Sequence, residues 1–501
     1  MGRANALKKN ILAGWLGEAV TLISGLILPR LILVAFGSSC NGLLSSIVQF
    51  LNFSTLLRAG VGAVTRAALF KPLADGNKNE IDKIMATTQS YMNKISFLVG
   101  LYIAILAIVY PFVAKGEYNW WYIFTLTFII GSTTFVDNLV GVKYKVLFQA
   151  DQKYYVEIIC VAVSKIASLI ISVVLIKLGY GIHIVKIGAA LATLLNPLVI
   201  TIYSKKTYNI DFSVEGDNSV ISQRWDAFAQ QMAIIVNSNV GLTILSLFAK
   251  LTEISVYTVH YMVSHMMESV FVATTVGVTS TFGNIIAKNE DENLKKVFLF
   301  IEWGFFAAFA VVFSITAVMI TPFISIYTDG VSDVNYIRPI FAIMMTAAAF
   351  GSCMRRPYQS LVEAAGHFKQ TRNSAVAEVI INVVVSIIML KFFGIIGVAI
   401  GSFAGSLFRS LHLALYSMKN IIKLPKRHLV KTYIVYFATF LIIILVCNKM
   451  VVARPDNYFS WACYAILVSV VAVVIVAVVS LVFNRHELIY LKNKLLSKSG
   501  K

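Results

Sequence analysis

Residues 144–178 read YKVLFQADQKYYVEIICVAVSKIASLIISVVLIKL, and residues 358–392 read YQSLVEAAGHFKQTRNSAVAEVIINVVVSIIMLKF. Shifted by 214 positions, Leu147 meets Leu361, Ser172 meets Ser386 and Lys177 meets Lys391. A second match needs nearly the same shift, about 212 positions. There, VAFGSSCNGLLSSIVQF leading to LADGNKNEID parallels SLFAKLTEISVYTVHYM leading to AKNEDENLKK. Two nearly equal offsets over six apolar segments predict two lobes of six helices each, with two more helices after them. Six is even, so the lobes run in the same direction, related by an axis along the membrane normal.

The composition says what solvent these helices meet. Of 501 residues, 58% are hydrophobic and 13% charged, against about 25% charged in a soluble domain. Apolar runs of about 20 residues recur from residue 11 to residue 483, the length that crosses a bilayer. No water-facing stripe runs along them, which argues against a soluble helical protein. The net charge of +19 would suggest nucleic acid in a soluble chain. Here the basic residues fall between apolar runs, where they set topology and meet anionic lipid. No basic–aromatic ribbon accompanies them, so nucleic acid is not an expected partner. The five cysteines form no CxxC and have no histidine at zinc spacing, so no metal site is expected.

Fourteen spans are expected, at roughly 11–36, 41–64, 91–113, 119–141, 154–178, 183–204, 225–248, 253–280, 298–326, 336–356, 370–391, 393–417, 429–452 and 460–483. They make an all-α integral membrane protein. The expected organisation is an N-terminal six-helix lobe over 1–204, a cytoplasmic loop over 205–224, and a second six-helix lobe over 225–417. Residues 418–501 add two helices and a basic tail. The basic start MGRANALKKNILAGWLGEAV reads as a retained first span, because its apolar run is too long for a signal peptide. Of the 43 Lys and Arg, about 29 fall on the side of the N-terminus and about 8 on the other. The positive-inside rule then puts both termini in the cytoplasm, which an even number of spans requires.

The stretch EAAGHFKQTRNSAVAEVIINVVVSIIMLKFFGIIGVAIGSFAG (363–405) resembles the C-terminal signature of the polysaccharide exporters in the multidrug/oligosaccharidyl-lipid/polysaccharide (MOP) superfamily. LFQADQKYYVEI (147–158) resembles the matching loop of their first lobe. The resemblance implies a flippase in the bacterial plasma membrane. Such proteins move an oligosaccharide on an undecaprenyl-pyrophosphate carrier from the inner to the outer leaflet, by alternating access around a central cavity. It also implies polysaccharide polymerase and other export-machinery proteins as partners. The alternative within the superfamily is a multidrug exporter driven by sodium or protons. LLRAG (56–60) loosely resembles a Leu-Leu-Arg-Arg stretch of the lipid II flippases, with the first arginine alone matched.

Charges inside the spans are the candidate site. An arginine at a helix centre costs about 2.5–3.5 kcal/mol on insertion scales, so Arg58 needs a reason. Thr55, Arg58, Gly62 and Thr65 share one narrow helical stripe, which predicts that Arg58 faces inward along a small, polar wall; the other reading is that it snorkels beside Arg66. Arg30, Lys165 and Arg409 are three further cations within spans. A pyrophosphate needs such groups, since arginine forks onto phosphate oxygens and lysine offers a point charge. A cationic drug would be repelled by them. Each of the three also has an ordinary reading, Arg30 and Arg409 at the interface and Lys165 paired to a carboxylate.

On the anionic side, Glu18, Asp137, Glu268, Glu302 and Glu378 lie in spans. His265 and Glu268 are three apart on one helix face, close to the place in the second lobe that mirrors Arg58. Three readings stay open for Glu268: a salt bridge to Arg58 that closes a gate, a proton or sodium coupling role with His265, or neither. Glu18 and Asp137 are further candidates for coupling or gating, though Asp137 and Glu302 also suit an interfacial position. No cofactor is expected. The chain has no Walker A loop and its glycines lack the strand–helix setting of nucleotide loops, so no enzyme is expected. A membrane glycosyltransferase would want one large outer loop with Arg and His, and the outer loops here are short.

Overall fold

In the computed structural model, the residues described are 3–58, 61–114, 118–151, 153–216, 239–450, 455–485 and 487–488. All regular structure among them is helical. The helices are α1 (Arg3–Asn52), α2 (Ser54–Leu57), α3 (Val61–Asp75), α4 (Lys78–Val113), α5 (Trp120–Val136), a π-turn at Asp137–Gly141, α6 (Val142–Ala150), α7 (Tyr154–Lys177) and α8 (Ile182–Tyr208). After α9 (Asn239–Phe248) come α10 (Leu251–Ala287), α11 (Asp291–Tyr327), α12 (Pro339–Met354), α13 (Arg356–Ala364), α14 (Phe368–Phe393), α15 (Ile395–Asn420), α16 (Lys426–Lys449) and α17 (Tyr458–Phe483).

Among the described residues, 11 helices are long and apolar enough to cross a membrane. The first of them runs 46 residues, Leu12–Leu57. At 1.5 Å per residue that is about twice a bilayer core. It is in fact two helices joined at Gly37, whose φ of 80° no other residue type adopts easily. Counting it twice, and adding the shorter apolar helices α9 and α12, gives the fourteen passages expected from the sequence. Most of the expected span 225–248 lies outside the described residues; its described part is α9.

Several helices run well past the apolar core. Residues 71–83 read as a basic loop, yet α3 continues to Asp75 and α4 begins at Lys78. The connection shrinks to Gly76, at φ +67°, and Asn77, whose side chain caps α4 by accepting from the Glu80 N–H. The charges there line helix surface beyond the bilayer, which a hydropathy window reads as loop.

The chain forms two compact units, Met1–Ser255 and Val256–Lys501. In the first, α9 and the start of α10 pack on the second arm of α1. Gln49 Nε2 donates to the Asn239 carbonyl at 3.0 Å, Ser246 Oγ to Ser46 Oγ at 2.9 Å, and Asn41 Nδ2 to Ser255 Oγ at 2.8 Å. Gly42 makes this approach possible, because a Cβ there would sit 1.8 Å from the Leu251 carbonyl oxygen. In the second unit the core is a stack of buried rings, among them Phe298, Phe306, Phe309, Phe313, Phe350 and Phe440. The two last helices share that core. Trp303 Nε1 on α11 donates to Ser480 Oγ on α17 at 3.1 Å, and Trp461 Nε1 donates to the Met319 carbonyl at 3.1 Å.

Candidate functional site

The π-turn is where the first unit gathers charge. A π-turn inserts one extra residue and so rotates the side chains that follow it. Asn138 repairs part of the loosened backbone by donating from Nδ2 to the Thr134 carbonyl at 2.7 Å. Gly141 lets the Asp137 carboxylate lie along the turn, since a Cβ would stand 2.8 Å from Asp137 Oδ1. Lys145 Nζ donates to that oxygen at 2.7 Å. Arg58 Nη1 lies 3.6 Å from Asp137 Oδ2 and 3.5 Å from Asn138 Oδ1.

The cluster extends along α3, α6 and α7. Arg66 Nη1 donates to Gln149 Oε1 at 2.7 Å, and Gln149 Nε2 reaches the buried Glu157 at 3.4 Å. Glu157 also lies in the fields of Lys145, Asp137 and Arg58, which makes the group one electrostatic unit. Lys143 Nζ donates to Gln89 Oε1 at 2.9 Å; burial, and then the nearby Lys205, push its amine below the usual lysine value. Lys143 lies apart from the carboxylates, so three cations (Arg58, Arg66, Lys145) stand with two carboxylates (Asp137, Glu157). Arg58 and Asp137 keep about a third of their side-chain surface open, 31% and 28%. The cluster is a partly open cationic surface, suited to a polyanion.

Arg58 does not sit at a helix centre. It caps the four-residue α2, so the expected stripe of Thr55, Arg58, Gly62 and Thr65 is divided. Thr65 turns into the helix pair and bonds Thr88 at 3.1 Å, whereas Arg58 faces the π-turn.

The other sequence candidates are distributed. Lys165 Nζ on α7 donates to Thr21 Oγ1 on α1 at 2.7 Å, and the exposed Glu18, one turn earlier on α1, adds its field. Those contacts belong to the α1–α7 interface and not to the Arg58 cluster. Arg30 is half-buried in α1, just after Pro29. In the second unit, Glu268 Oε1 accepts from Arg356 Nη2 at 2.8 Å and from Ser352 Oγ at 2.7 Å. Arg58 and Glu268 therefore each have a partner inside their own unit, and neither needs the other to balance its charge. His265 is exposed, with its ring 5.2 Å from that of Tyr261. Arg409 donates to the Thr371 carbonyl at 2.7 Å and to Ser374 Oγ, and lies 3.9 Å from Glu378. Arg355 takes the other Glu378 oxygen at 2.5 Å.

Sequence reasoning gave no site role to Arg66, named only as a neighbour at the span edge, or to Lys143, Lys145, Arg355 and Arg356. A usable signal was their position. Each stands at or within a few residues of the end of an expected span and is turned onto a side chain of the same unit. Glu302, given an interfacial reading, is buried and hydrogen-bonded on both oxygens to Tyr358 and His428. Among the described residues no group of three or more His, Cys, Asp or Glu could hold a metal ion.

No family model and no curated protein matches the chain by sequence. Solved structures do. The lipid II flippase MurJ in an inward closed conformation superposes over 95% of this chain and 99% of its own, with TM-score 0.69 and 17% identity. An inward-facing multidrug resistance MATE family transporter of the MOP superfamily covers 82% and 94%, at TM-score 0.64 and 14% identity. A mutant form of VcmN, a MATE transporter of Vibrio cholerae, covers 84% and 98%, at TM-score 0.56 and 12% identity. The chain has the multi-spanning, all-α fold of these structures.

Proposed function

We propose that this protein is a flippase for a lipid-linked oligosaccharide. The substrate is an undecaprenyl-pyrophosphate-linked repeat unit, moved by alternating access from the inner to the outer leaflet of a bacterial plasma membrane for cell-surface polysaccharide. The observation that carries the reading is the surplus of cations around Arg58. Three basic groups stand against two carboxylates, with Arg58 held only by long contacts. A diphosphate bears two or more negative charges and offers planar pairs of oxygens, which a guanidinium fork matches. Arg58 is loosely enough held to exchange Asp137 and Asn138 for phosphate oxygens, and Lys145 keeps Asp137 from being left unpaired. A multidrug exporter of cationic compounds would want the opposite sign at this place. The fold shared with a lipid II flippase over nearly the whole chain agrees with this choice.

The test is made in cells lacking the protein, complemented with wild type or Arg58→Ala. Undecaprenyl-linked oligosaccharide is extracted and its leaflet determined. Accumulation on the inner leaflet, cleared by wild type and not by the variant, is the expected result. Unchanged lipid-linked sugar together with raised drug sensitivity would replace the flippase with the exporter.

A further inference from the structure

We propose that Glu302, Tyr358 and His428 form a proton-binding site in the second unit, which fastens the first turn of α16 to α11 when it is loaded. Glu302 is 2% exposed and Tyr358 not at all. The Tyr358 hydroxyl donates to one carboxylate oxygen, and His428 Nε2 lies 2.6 Å from the other. Around them stand the rings of Phe298, Phe306 and Tyr433, with centroids 5.6 to 6.4 Å from that of Tyr358. A carboxylate in such an apolar box has no water to solvate it, so its partners matter more than they would at a surface.

The imidazole is different. Its side chain keeps 23% of its surface open, and it stands on the third residue of α16, at the end of the helix where the chain is polar. It therefore joins a sealed carboxylate to the adjoining aqueous phase. With Nε2 given to Glu302, the nitrogen left to exchange a proton is Nδ1. A proton taken there from water makes an imidazolium–carboxylate pair with no net charge. Returning it to water leaves one negative charge inside the box, held by two neutral donors. The loaded form is the tighter clamp.

The other polar groups facing the cluster are already engaged. Tyr433 on α16 bonds Ser410 on α15 at 2.6 Å. Tyr436 donates to Asn484 at 3.1 Å. Lys431 donates to the Phe483 carbonyl at 3.1 Å. Glu487 and Lys431 are the remaining charges felt by the imidazole, and their signs oppose each other.

The test uses the purified full-length protein in detergent, without substrate, so its outcome is independent of the flippase reading. Thermal unfolding is followed from about pH 5 to about pH 8.5, the range in which histidine titrates. Wild type is expected to lose stability as pH rises, and His428→Gln to fold with that step removed. Tyr358→Phe is expected to keep the step, because tyrosine donates in both states. Glu302→Gln keeps the histidine and is expected to weaken its proton affinity by about tenfold, moving the step to lower pH. Proton uptake on acidification should be one fewer per chain in His428→Gln than in wild type. Identical pH profiles for wild type and His428→Gln would overturn the proposal. If that variant does not fold, a step unmoved by Glu302→Gln overturns it equally.

Discussion

Arg356 donates to Glu268 across 2.8 Å in the second unit, whereas Arg58 stands 3.6 Å from Asp137 in the first. In the first unit the cation stands at the end of α2 and the anion at the end of α5. In the second, the anion is on α10 and the cation on α13, which the 214-residue offset matches to α6, the helix after the π-turn that holds Asp137. The two bridges use neighbouring and not identical repeat positions, with the charges on opposite partners. Attraction between two opposite charges is unchanged when they trade places, so the exchange is neutral for packing. It is not neutral for a ligand. The surroundings of Arg58 hold one cation beyond their carboxylates, and Arg58 itself is held only by long contacts. Around Glu268 and Glu378 the three arginines Arg355, Arg356 and Arg409 exceed the carboxylates by one, and all three are bound.

Arg58 is predicted to matter for transport and little for stability. The pair with Asp137 is long and partly open, which puts it among ion pairs contributing about 0–1 kcal/mol. Arg58→Ala should shift thermal unfolding by less than about 1 kcal/mol while clearance of inner-leaflet lipid-linked sugar falls at least about tenfold. The exchange Arg58→Asp with Asp137→Arg should restore the bridge and not the transport. Full transport in the exchanged protein would make the arginine a structural partner only.

Glu268 is predicted to behave in the reverse manner. Its carboxylate is largely buried and holds both Arg356 and Ser352. Glu268→Gln leaves a guanidinium without its counter-charge, a change that costs about 3 kcal/mol or more in buried settings. The double variant Glu268→Gln with Arg356→Gln should recover part of that loss. Additive losses in thermal unfolding of the single and double variants would show that the two groups do not interact.

Much of the fold was legible in the chain, and the site much less so. Span number and duplication follow from hydropathy and a 214-residue offset, because lipid requires long apolar helices whatever their packing. Ser172 and Ser386, which match across that offset, are both buried. The polar partners were harder to read. Arg58 meets Asp137 only because the helix breaks after α2 and a π-turn follows α5, and neither irregularity has a hydropathic signature. Arg355 and Arg356 close the expected span 336–356 in MRRPYQ, and the junction of α12 with α13 turns both onto carboxylates.

Topology is open to a direct check. The surplus of Lys and Arg on one side predicts cytoplasmic termini. A fluorescent protein fused after Lys501 should mature and fluoresce in cells, and a periplasm-active phosphatase at the same point should stay silent. The phosphatase should become active when fused in the Gly179–Gly181 turn between α7 and α8, where Gly179 sits at φ +78°. Activity of the C-terminal phosphatase fusion would invert the whole arrangement.

A close helix crossing in the second unit predicts a glycine effect. At Gly401 on α15, an added Cβ would stand 2.0 Å from Ser386 Oγ, 2.6 Å from the Ser386 backbone nitrogen and 2.8 Å from the Asn382 carbonyl oxygen. The serine hydroxyl is able to rotate away, but the backbone of α14 is not. Gly401→Ala must therefore push α14 and α15 apart, at a cost of about 1–3 kcal/mol typical of overpacking, and Ser386→Ala should not rescue it. Gly304 on α11 is the control, since nothing lies within 4 Å of its Cβ position. Gly304→Ala should be neutral or stabilise by up to about 1 kcal/mol through helix propensity. Equal melting temperatures for the two alanine variants would mean that α14 and α15 do not cross this closely.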